Sequence, residues 1–322
     1  MKAYLTALFF TCLLQMPGSG NYIIAQALTI PCDTSYTVAS TLKKIRKEYK
    51  DIEVTAVLSN PSRRITVKKD IVYSTIGKRK LTADLFYLSK PKHDLPCIVM
   101  IHGGGWRAGD KSLNTPMAER LADAGYVVVS VEYRLSLEAT YPAAVQDLYN
   151  VIAWIDKYAK KYHININKLA VLGCSAGGQL AALVGTTYNK PVAFNQSVKQ
   201  KENVKINAIV DIDGILAFKH PDSQEGKVAS EWLGGTYEEK PETWTEASAL
   251  THVDAYTPPT LFIASKYPRF LAGRQEFIST LDKYGTKYQT HFLEGVPHSF
   301  WLLNPWFEPT VRYVIGFLEE VF

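Results

Sequence analysis

Cysteine is scarce in this sequence: four in 322 residues, with no pair at the spacing of a zinc site and too few to staple a core with disulfides. Cys97 lies inside an apolar run that reads as a buried strand, so it is expected as a core residue. No segment after the N-terminus is long and apolar enough to cross a bilayer, which takes about 20 residues. Charge of one sign is also lacking. Lys and Arg total 36 against 31 Asp and Glu, a net charge of +5. The densest basic stretch, KKIRKEYK at residues 43–50, is broken by Glu48 and reads as a solvated helix face, not a nucleic-acid patch. A weak preference for acidic polymers is compatible with that charge. Repeats and low-complexity segments are absent. So are G-x-G-x-x-G spacing and a Lys-Ser/Thr at Walker spacing, which sets aside the common nucleotide-phosphate loops.

What is present is a globular composition, 47% hydrophobic and 21% charged, enough for a full core. Lys2, the apolar residues 3–14 and the small-x-small triplet Ala25-Gln26-Ala27 have the form of a secretory signal cleaved after Ala27. Export to the periplasm or medium is the expectation. Lipidation at Cys12 is the weaker reading, because Thr11 stands where a small residue is usual. Residues 28–66 read as a leader, with a short helix at 41–49, and residues 67–322 as one domain.

Within that domain two strands, 71–76 and 81–88, flank a turn at Gly77-Lys78. From residue 97 strands alternate with helices. Apolar runs at 97–101, 126–131, 169–172, 206–212, 260–264 and 288–293 are separated by helical patterns at 117–124, 143–162, 176–183 and 277–283. A last helix is expected at 311–321. Continuous apolar strands separated by helices predict an α/β fold with a mostly parallel sheet covered on both faces. Residues 214–257 break the rhythm and read as a partial lid.

Three motifs carry chemistry. Gly173-Cys174-Ser175-Ala176-Gly177 is a G-x-S-x-G sequence between a short apolar strand and a helix. That is the context in which a sharp turn presents a nucleophilic serine. His102-Gly103-Gly104-Gly105-Trp106 follows the first apolar strand of the alternating region. Its glycines allow backbone N–H groups to approach a substrate oxygen, so Gly104, Gly105 and Ala176 are the oxyanion-hole candidates. His102 itself reads as a brace for the loop. His298, in Pro297-His298-Ser299-Phe300-Trp301 after the last strand, is the candidate general base, in the chain order serine first, histidine last.

Together HGGGW, GCSAGG and PHSFW resemble the α/β-hydrolase superfamily, and within it secreted bacterial carbohydrate esterases that deacylate xylan or pectin. The resemblance implies an α/β-hydrolase fold, a Ser-His-acid ester hydrolase without metal or organic cofactor, and an ester-substituted polysaccharide or oligosaccharide as substrate. In most relatives an aspartate follows the penultimate strand within a few residues. Here Ser265 to Gln275 contain none. Glu276 is the first carboxylate there and is the leading candidate acid. Asp213, ending Ile209-Val-Asp-Ile-Asp213, is the alternative. Arg134 and Asp147 are expected to pair and brace the site. Trp106 and Trp301 are expected as sugar-stacking surfaces. Feruloyl or small-molecule ester hydrolysis remains open, as does a non-catalytic polysaccharide-binding protein with a degenerate site.

Overall fold

The structure is a computed structural model that describes residues 31–188, 190–191 and 204–322. The expected signal segment, its cleavage site and Cys12 lie outside the described residues. In chain order the elements are α1 (Val38–Glu48), β1 (Thr55–Ala56), β2 (Ile65–Ile76), β3 (Arg79–Leu88), β4 (Leu95–Ile101), α2 (Thr115–Asp123), β5 (Val127–Val131), α3 (Ala143–Tyr162), β6 (Ile164–Cys174), α4 (Ala176–Thr187), β7 (Ala208–Ile212), α5 (Gly226–Leu233), α6 (Pro241–Glu246), β8 (Thr260–Ala264), α7 (Arg274–Tyr284), β9 (Tyr288–Phe292), β10 (Leu303–Asn304) and α8 (Phe307–Val321).

Eight strands form one sheet in the order β2-β3-β5-β4-β6-β7-β8-β9. The β2, β3 and β5 pairings are antiparallel, and from β5 through β9 every neighbour is parallel. The buried parallel strands are apolar at nearly every position, as double coverage requires: Val127–Val131 is buried throughout. On one face α3 presents Val145, Leu148, Ile152 and Ile155, all fully buried, to a core shared with α4 and the lid segment. On the other face α2 and α8 pack with the strand residues Ile98, Met100, Val128 and Leu172. Cys97 and Cys174 are buried and unpaired, and Cys32 is exposed.

The leader is not a peripheral appendage. The helix α1 begins three residues earlier than the periodicity predicts, because Thr37 and Ser40 cap it reciprocally. Ile45 inserts from it into the α2/α8 core. The strand β1 pairs with β10, tying the leader to the C-terminal segment. The first long strand starts at Ile65, inside the expected leader, because its ladder with β3 continues to Ile65 opposite Leu88.

Candidate active site

Ser175 stands between the end of β6 and the first residue of α4, with φ 55° and ψ −121°. A non-glycine residue in that region costs about 1–3 kcal/mol, which the surrounding structure must offset. It does so by close packing. The Ser175 N–H donates to the Ile212 carbonyl at 2.8 Å. A Cβ on Gly177 would lie 2.2 Å from the Ile101 carbonyl oxygen, and one on Gly173 would lie 1.9 Å from that of Gly177. Only glycine lets the turn close so tightly. The hydroxyl is thereby held above the C-terminal ends of the parallel strands, where α/β sheets place their sites.

His298 reaches the serine from the loop after β9. Its Nε2 lies 3.0 Å from Ser175 Oγ, and its Nδ1 lies 2.7 Å from Asp213 Oδ2. A carboxylate only accepts, so Nδ1 carries the proton and Nε2 is free to accept from the serine hydroxyl. The Asp213 side chain is fully buried. Its second oxygen accepts from the Ser265 N–H at 2.7 Å, and its own N–H donates to the Ile263 carbonyl. Asp213 thus directly follows β7 but is fastened to the end of neighbouring β8. The ring of Phe270 lies against one face of His298, and Trp301 packs nearly perpendicular to it at 5.0 Å.

Glu276 is not the acid. It sits in the first turn of α7 and pairs with His220 Nε2 at 3.1 Å, while His298 Nδ1 is taken by Asp213. The hydrogen bond from His220 holds its carboxyl below the ordinary range. The helix α7 points this residue outward to the lid, whereas β7 ends beneath the histidine.

The HGGGW loop lies against the nucleophile. A Cβ on Gly103 would come within 3.1 Å of Ser175 Cβ. Gly104 has φ 126° and Gly105 φ 61°, and the Gly104 carbonyl accepts from the Ala108 N–H, folding the loop on itself. Among the described residues neither the Gly104 nor the Gly105 N–H has a protein acceptor, and Ala176 N–H, at a helix start, has no intrahelical one. All three residues border cavities that contain Ser175. His102 is buried behind them. It stacks on Tyr133, its Nδ1 meets the Gly103 carbonyl, and burial pushes its pKa down, so it is a neutral brace. Arg134 grips Asp147 through both oxygens, with Asp147 fully buried.

Neither tryptophan offers the open face that sugar stacking requires. Trp301 is 5% exposed and belongs to the α8-side core, where it packs against His298. Trp106 is 7% exposed, with its face stacked on Trp232 of α5 at 4.9 Å and its indole N–H donated to Gln179. The lid segment therefore closes over Trp106 and leaves Val228 bordering the serine.

The family model BD-FAE matches residues 83–271, more than half of the chain. The chain belongs to the BD-FAE family. Esterase LipC of Mycobacterium tuberculosis is 28% identical over 242 residues, covering 72% of this chain and 60% of that protein. The chain thus spans less than two thirds of the length of that relative. Among solved structures, esterase B from Lactobacillus rhamnosis superposes with a TM-score of 0.69 at 20% identity, covering 88% of this chain and 92% of that one. A truncated carbohydrate esterase from gut microbiota gives a TM-score of 0.66 at 21% identity, covering 80% and 99%. At these identities the likeness establishes the α/β-hydrolase fold.

Proposed function

We propose that the chain is a carboxylic ester hydrolase that removes acetyl or similarly small acyl groups from plant cell-wall carbohydrate. The observation that carries this reading is the continuous relay from Asp213 Oδ2 through His298 to Ser175 Oγ, at 2.7 and 3.0 Å. Ser175 attacks the ester carbonyl as His298 takes its proton, and Asp213 stabilises the imidazolium that results. The N–H groups of Gly104, Gly105 and Ala176 receive the oxyanion. His298 returns the proton to the departing alcohol, and water, activated by the same histidine, releases the acid from Ser175. A binding protein with a degenerate site loses its basis, since its only support was a missing acid.

Kinship to named esterases supports ester chemistry, and the carbohydrate esterase among the structural neighbours supports a sugar ester. The N-terminal apolar stretch with its Ala25-Gln26-Ala27 site supports export, which suits a polymeric substrate.

The test is parallel measurement of acetate and methanol release from acetylated xylan, acetylated pectin and methylated pectin. The reading expects acetate from an acetylated polymer and loss of that release in Ser175→Ala. Methanol release without acetate release overturns it, because a pectin methyl ester makes the polymer the acyl part.

A further inference from the structure

Two cavities meet at Ser175 and His298, and they differ in size and in the elements that wall them. The smaller, about 250 Å³, is bordered by Trp106, Ile215, Val228 and Phe270 with Gly105 and Ala176, and also by Gln224, Glu225 and Arg269. The larger, about 690 Å³, falls in the range of about 300–1,000 Å³ typical of cavities that hold whole ligands. Much of its wall is the leader: Asp33, Ser35, Tyr36, Ser40, Lys44 and Glu48. Tyr267 and Arg269 stand on the same cleft.

We propose that residues 33–48 form the leaving-group subsite, and that it takes a glycan. This rests on the ester-hydrolase reading. The leader wall carries hydroxyls, a phenol, an amine and carboxylates, so it offers donors and acceptors together, which is what a polyhydroxylated alcohol needs and an acyl chain does not. Lys44 and Glu48, one turn apart on α1, are exposed and form no ion pair with each other or with any described residue. Glu48 lies within electrostatic reach of Lys266, whose ammonium sits over the ring of Tyr49. The smaller cavity, whose apolar side chains Trp106, Ile215, Val228 and Phe270 stand beside Ser175 and Ala176, is left for the acyl group.

The wall is built into the machinery on both sides. Asp33 pairs with Arg107, two residues past Gly105, and Arg107 also grips Glu231 of α5. The Tyr36 hydroxyl meets Ser299 Oγ, next to His298, at 3.1 Å, and Tyr49 donates to the Gly295 carbonyl. The leader is thereby fixed to the oxyanion loop, the lid and the base loop. It lies outside residues 83–271, the part matched to the family.

The experiment compares kcat/KM for acetylated xylotriose with kcat/KM for p-nitrophenyl acetate, in the full chain and in a Lys44→Ala/Glu48→Ala variant. The ratio should fall roughly tenfold in the variant, mainly through KM for the oligosaccharide, the scale of one or two lost hydrogen bonds. The conservative Lys44→Arg/Glu48→Asp variant should recover most of the ratio. A ratio within twofold of the parent, or an equal loss on both substrates, overturns the subsite. Turnover of p-nitrophenyl acetate without any turnover of the acetylated sugar overturns it too, while leaving ester hydrolysis standing. Failure on both substrates removes the hydrolase reading itself.

Discussion

The ring of Phe270 lies on the imidazole of His298 with centroids 3.9 Å apart and planes within 9°. Together with Trp301, packed nearly perpendicular to the imidazole, it fixes the plane in which the base must meet Ser175 Oγ. Phe270→Ala removes that stop, and a misplacement of about 1 Å in a reacting group can cost about a hundredfold. Steady-state kinetics on p-nitrophenyl acetate should show kcat reduced by roughly ten- to a hundredfold. Phe270→Leu, which keeps bulk on that face, should fall between the variant and the parent.

Substitution of the two carboxylates separates their roles. Asp213→Asn cannot hold the Nδ1–H tautomer of His298 and should lower kcat by roughly three to four orders of magnitude at neutral pH. Glu276→Gln, which removes only the charge facing His220, should leave kcat within about twofold. The two variants measured side by side decide between them, and equal losses would refute the assignment.

The Arg134–Asp147 pair predicts a stability effect rather than a kinetic one. Asp147 is fully buried, and its removal leaves an uncompensated guanidinium. Asp147→Ala should destabilise the fold by about 3–5 kcal/mol, read as a shift in the urea midpoint.

His102 predicts a pH dependence. Burial lowers its pKa below the unfolded value, so the unfolded chain binds the proton more readily. Stability from this group is therefore present above pH about 6.5 and lost as pH falls below it, with a slope of at most about 1.4 kcal/mol per pH unit. Urea denaturation at pH 7.5 and 5.5 should show a smaller difference for His102→Asn than for the parent. His252 and His291 are shifted in the same direction, so some slope should remain.

The nucleophile and the oxyanion loop were legible in the sequence because their signals are local. A strand, a glycine-flanked residue and a helix suffice to define the turn at Ser175. His298 was legible from its place after the last strand. The acid was legible only as a choice between Glu276 and Asp213, with Asp213 placed second, because the choice depends on which strands are neighbours. β7 and β8 lie side by side, so a carboxylate directly after β7 can reach the point usually served from β8. The IVDIDG pattern offered Asp213, but the sequence alone does not say that it lies beneath His298. The tryptophans failed for a related reason. Periodicity and composition say that an aromatic ring is large and apolar, but not whether another ring covers it, and Trp232 covers Trp106. The leader helix was legible as a helix, while its place beside Ser175 follows from Ile45 and the Asp33–Arg107 pair, contacts made across the chain.

The account stands on an activated serine at position 175. Incubation of the folded chain with a fluorophosphonate probe, followed by peptide mapping by mass spectrometry, tests that directly. The account predicts one covalent adduct, on Ser175, that is absent in Ser175→Ala and forms far more slowly in His298→Ala. An unlabelled Ser175 in the folded parent, or labelling that persists unchanged in His298→Ala, would contradict it.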